Sequence, residues 1–167
     1  MVHRRVYTSA YAGMLFTVLG VIAWVTGQPF IFPSLGPSAF VLAHDRQGEV
    51  VAPRRVVGSH LIGAVAGLVA YWTLAAGVTL TATPDPGTIA GLRLAAAGVC
   101  SVALTSWAMI ATGTEHAPAC ATTLIVSLGL LSTATAATTI VVAVGILVAI
   151  HQIAIAGFEA AVSRLKA

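Results

Sequence analysis

Five histidines and two proline-led segments carry most of the chemistry this sequence offers. His116 stands directly before Ala117-Pro118-Ala119-Cys120, and a second passage reads Pro33-Ser34-Leu35-Gly36-Pro37-Ser38. In each, a proline opens an apolar stretch of helical character. Proline belongs in a helix's first turn, where its missing N–H removes nothing, so helices are expected to begin near Pro37 and Pro118. A helix beginning carries unpaired amides and about half a unit of positive charge, which suits an anion. The expected substrate-binding residues are therefore Ser34, Leu35, Gly36, Pro37 and Ser38 from one segment, and His116, Pro118, Ala119, Cys120 and Thr122 from the other. The hydroxyls of Ser34, Ser38 and Thr122 or Thr123 would donate, as would His116, whose imidazole can switch charge. His60 joins the candidates, although its place one turn into a span behind Arg54-Arg55 fits an interfacial structural role as well.

Other polar residues are expected to do less. His151 lies deep in the last apolar span, where a hydrogen bond to another helix is the modest expectation. His3 and His44 read as solvated loop residues, Glu115 as an interfacial carboxylate able to pair with an arginine, and Arg93 as a snorkelling side chain near a membrane face. Successive histidines after the first are 16, 56 and 35 residues apart, which matches no helical or hairpin metal-ligand pattern. The sequence holds no G-x-S-x-G, H-E-x-x-H, phosphate-cradling loop or paired acids, so neither an enzyme nor a cofactor is expected. Cys100 and Cys120 read as buried inert thiols.

What must position these groups is a membrane. Of 167 residues, 58% are hydrophobic and 8% charged, with a mean hydropathy of +0.97. Too little polar surface exists to cover a water-soluble domain, and the formal charge of +3 rests on so few residues that it bears on membrane orientation, not on nucleic acid. Residues 7–25 rise about 28 Å as helix and lead into Thr26-Gly27-Gln28-Pro29, which is no cleavage site, so they read as a retained first span. Further spans are expected over residues 56–80, 88–112 and 136–160, with shorter segments over 30–43 and 116–131.

Pro37 and Pro118 are 81 residues apart, and the same offset carries the first long span onto the third and the second onto the fourth. The chain thus reads as one integral membrane domain over 1–167, in halves of about 1–83 and 84–167. It is an all-α polytopic fold with four long transmembrane helices and two short proline-led broken helices. If both short segments cross, Arg4, Arg5, Arg46, Arg54, Arg55, Arg164 and Lys166 share one face, which sets both termini in the cytoplasm, in the plasma membrane of a prokaryote. Three passages per half make the halves inverted, an architecture of transporters, and two helix beginnings could then meet at mid-depth from opposite sides. Prolines and small residues such as Gly36, Ala39, Ala119 and Ala121 also serve plain helix packing. The run Gly58, Gly63, Gly67 is a possible close-packing face for a homo-oligomer.

The passages Phe32-Pro33-Ser34-Leu35-Gly36-Pro37-Ser38-Ala39, Pro53-Arg54-Arg55-Val56-Val57-Gly58-Ser59-His60-Leu61-Ile62-Gly63 and His116-Ala117-Pro118-Ala119-Cys120-Ala121-Thr122 together resemble the HPP family of integral membrane proteins. Ala117 replaces the first proline of the family's signature triplet. Some members are described as nitrite transporters, so the resemblance implies nitrite as the candidate substrate. The expected function is a transporter or channel for a small monovalent anion, with that anion and membrane lipid as partners; the alternative is a structural or regulatory membrane subunit without transport.

Overall fold

A computed structural model describes residues 2–166. Among them the regular structure is helical, with no strand: α1 (Val2–Thr26), α2 (Leu35–Asp45), α3 (Pro53–Ala70), α4 (Ile89–Thr112), α5 (Ala119–Ser127) and α6 (Ala134–Lys166). Four helices, the third counted with a π-helical turn at Tyr71–Ala75 that continues α3, are long and apolar enough to cross a membrane. The chain is an integral membrane protein. The long spans begin two or three residues earlier than expected at α3 and α6, and α6 runs six residues further, out to Lys166.

Local signals account for the helix ends. Pro53 opens α3, and the Thr88 hydroxyl caps α4 by accepting from the Gly91 N–H at 3.3 Å. Gly113 stops α4 with φ +63°, which lets its own N–H and that of Thr114 close onto the Ile110 and Met109 carbonyls. The two short helices start where the prolines indicate: Pro37 is the third residue of α2, and Pro118 immediately precedes α5.

The contacts at the ends show how far each segment travels. α2 returns the chain from Thr26 to the level at which it began, because His44 Nε2 lies 3.5 Å from Arg4 Nη2. Neither helix is long enough alone; the extended leg ahead of α2 makes up the difference, with Ile31 passing beside Gly20 of α1. At the same end Arg54 donates to the Thr112 carbonyl, and Gln47 bonds Glu159. At the opposite end the Leu80 N–H donates to the Leu128 carbonyl, Trp72 donates to the Ser132 carbonyl, and residues Gln28 and Phe30 share a cleft with the start of α6. Six passages therefore link the two ends of the molecule.

α3 is the hub. Half of its apolar window is buried, against 11% for the peripheral α1, and it packs on α4, α5 and α6. Gly63 and Gly67 permit this: a Cβ on Gly63 would stand 2.7 Å from the Ala119 carbonyl oxygen, and one on Gly67 would stand 2.7 Å from Val126 Cβ. Of the glycine run expected as a close-packing face, Gly63 and Gly67 meet α5 of the same chain and Gly58 meets Thr114. A second correction concerns Cys100, which is exposed on the flank of α4, where lipid replaces water, while Cys120 is half-buried.

Candidate functional site

Three elements bring polar side chains into the apolar interior. Ser34, the residue before α2, and Ser38 in its first turn stand four residues apart and so share the inward face with Leu35 and Leu42. On α3, His60 occupies the face that Gly63 and Gly67 clear for α5. The turn before α5 supplies His116, and α5 itself supplies Thr122 and Thr123. Ser34, Ser38, His60, Thr122 and Thr123 have no exposed surface, and His116 has 3%.

Ser38 is the junction. Its Oγ lies 2.9 Å from His60 Nε2, 3.1 Å from His116 Nε2 and 3.2 Å from the Ser34 carbonyl oxygen. The two imidazole centroids are 5.5 Å apart. On its other side, His60 Nδ1 is 2.7 Å from Thr122 Oγ1. Two proton arrangements satisfy these contacts. With the Thr122 hydroxyl donating to His60 Nδ1, the Nε2–H of His60 donates to Ser38; with the other tautomer, His60 Nδ1–H donates to Thr122 and Ser38 donates to His60 Nε2. In each, Ser38 has a single proton to give to the groups around it. A parallel pair lies beside it: Thr105 of α4 and Thr123 of α5 bring their hydroxyls within 2.8 Å, and Thr123 donates to the Ala119 carbonyl at 3.2 Å.

Among the described residues two buried hydroxyls, Ser34 Oγ and Ser127 Oγ, have no hydrogen-bond partner. Buried polar groups are normally paired, which makes these two exceptions. Ser34 caps α2 without bonding the helix's amides, which leaves an idle donor at a helix beginning next to Ser38.

The expected site residues divide. Ser34, Leu35, Ser38, His60, His116, Ala119 and Thr122 are buried together; Pro118 and Cys120 are half-buried at the turn; Gly36 and Pro37 face outward. The outward pair follows from helical geometry, since 100° per residue turns positions 36 and 37 away from the face that 34, 35 and 38 share. Thr105 was not among the expected residues; its only sequence signal is a hydroxyl within an apolar span. His60 belongs to the interior, not the interface.

A second polar node ties α1, α2 and α6. His151 Nε2 donates to the Arg46 carbonyl at 2.9 Å, so its Nδ1 accepts from the Tyr11 hydroxyl at 3.0 Å. Arg46 holds φ +49° as it closes α2, and its guanidinium lies 5.5 Å from the Tyr11 ring centroid. The helix-to-helix bond expected of His151 is present. Glu115 approaches Arg55 at 3.7 Å. Arg93 does not reach for headgroups: it donates to the Leu74 and Ala76 carbonyls at 2.8 and 3.2 Å, which the π turn leaves free.

The chain is thus a helical membrane domain whose short helices bring serine, threonine and histidine into its interior. The family model described as HPP, transmembrane region, matches residues 2–164. The chain belongs to the HPP family of transmembrane proteins. Comparison with curated proteins and with solved structures finds no match.

Proposed function

We propose that this protein is a membrane transporter for a small monovalent anion, nitrite being the candidate that the family resemblance suggests. The observation that carries the reading is the 3.1 Å approach of Ser38, in the first turn of α2, to His116, just before α5. Two helix beginnings, entered from opposite ends of the molecule, meet inside the bundle. Each contributes a positive dipole end, the amides of Ala119, Cys120 and Ala121 already donating to the His116, Ala117 and Pro118 carbonyls, and Ser34 adds a buried hydroxyl with no partner among the described residues. The 81-residue offset between the proline-led segments supports an inverted repeat, and transporters place their sites between such halves. With the cluster sealed at both sides, the arrangement suits a carrier caught closed better than an open pore. The base-rich end, holding Arg4, Arg5, Arg46, Arg54, Arg55 and Arg164, is the cytoplasmic face on this reading, with both termini there.

The deciding experiment is flux into proteoliposomes with nitrite, nitrate, formate and chloride in parallel. Protein-dependent uptake of at least one anion, lost in Ser38→Ala and His116→Ala variants that still fold, is the expected result. Equal uptake with and without protein overturns the reading. A second reading, a structural or regulatory subunit, draws on the fact that Ser38, His60 and Thr122 also satisfy one another; it predicts that the same variants change thermal stability and no flux.

A further inference from the structure

We propose a binding site for an anionic phospholipid at the base of α1 and α2, distinct from the interior cluster. The first turn of α1 places Arg4 and Arg5 at a helix N-terminus with no acidic residue in that turn. The helix dipole is positive there, so both guanidinium groups stand where acids would stabilise and bases do not. Neither forms an ion pair among the described residues, whereas Arg55 pairs with Glu49 at 2.9 Å and Glu115 at 3.7 Å. Asp45, the acid at the end of α2, bonds His44 at 3.0 Å.

These bases, Arg4 also lying 3.5 Å from His44 Nε2, open onto a cleft of about 400 Å³ lined by Arg4, Arg5, Thr8, Ser9, Phe40 and His44. Its chemistry is graded along the bundle. The bases lie at the end of the molecule, at headgroup depth; Thr8 and Ser9 add two hydroxyls one turn further in. Phe40, exposed and one turn above His44 on α2, turns an apolar ring toward the hydrocarbon. Charge at the rim and an aromatic wall below it match one amphipathic anion, a phosphate carried on an acyl-chain glycerol.

The test uses the full-length protein, delipidated in detergent and offered phosphatidylglycerol, phosphatidylcholine of the same acyl chains, or inorganic phosphate. Native mass spectrometry and thermal melting are the readouts. Phosphatidylglycerol is expected to remain bound and to raise the melting temperature where the other two do not. An Arg4→Gln/Arg5→Gln double variant should bind it about tenfold more weakly or worse. Removing bases from a helix N-terminus does not endanger the fold, and Arg164→Gln, at the same end but outside the cleft, should bind like the parent. Equal binding of the two lipids overturns the proposal. So does an equal loss in Arg164→Gln, which would mean bulk attraction, or an equal effect of inorganic phosphate, which would mean an anion site without a lipid.

Discussion

Ser38 joins His60 and His116 through one hydroxyl, and so it is the residue at which a single change should be felt in both function and stability. Removing its Oγ leaves the Nε2 atoms of His60 and His116 without the group that joins them, while the helix around it survives. Ser38→Ala is expected to cost about 1–3 kcal/mol of stability and to reduce anion flux about tenfold or more, read by thermal melting and by proteoliposome uptake on the same preparation. The Tyr11–His151–Arg46 node gives the contrasting case. His151→Phe strips the Arg46 carbonyl of its partner and leaves the Tyr11 hydroxyl with the residue 151 carbonyl alone, and should destabilise by about 1–3 kcal/mol. Flux per folded molecule should be unchanged, since the node lies apart from the Ser38 cluster. His60 and His151 look alike in the sequence, single histidines within apolar runs, and only their neighbours tell them apart.

Among the elements, α3 and α5 have the least tolerance. Gly67 faces Val126 Cβ and the Thr123 carbonyl at 2.7 and 2.8 Å from where its own Cβ would be, and backbone cannot yield as a flexible side chain can. Gly67→Val is expected to push α5 away from α3 and to destabilise by about 1–3 kcal/mol or more, measured by detergent-resistance melting. Because Thr122 and Thr123 ride on α5, the same variant should also weaken flux. Arg93 tests the opposite end of α3: Arg93→Gln removes donors from the Leu74 and Ala76 carbonyls, and local hydrogen exchange around Tyr71–Ala75 should quicken while the Ser38 cluster keeps its protection. The proline-led segments were legible as helix starts because proline acts locally, through its own ring. The π turn was not, since the donor that meets its free carbonyls is an arginine 17 and 19 residues further along.

For the whole molecule, the charge distribution makes a direct prediction. Single cysteines introduced at Gln47 and at the C-terminal turn of α6 should label from the same side of a sealed membrane, and one introduced at Asp85 from the other. The six passages were already favoured by counting bases, and the return of His44 to Arg4 agrees with that count. The close-packing stripe read differently. Gly58, Gly63 and Gly67 look alike whether they meet a second chain or another helix of the same one, because a small residue reports only that something comes near.

Hydropathy picked out the four long spans and proline the starts of the short helices, because each acts within one segment or between a segment and its solvent; the resemblance to the HPP family rests on three short passages of specific residues. Which hydroxyl meets which imidazole was decided by the packing of α2, α3 and α5. Ser38, His60 and His116 are separated by 22 and 56 residues, and no local rule relates them; they meet because two glycines allow α5 to lie against α3 and helical geometry turns Ser38 inward. The same geometry turned Gly36 and Pro37 outward, leaving those two beside the site in sequence and outside it in space.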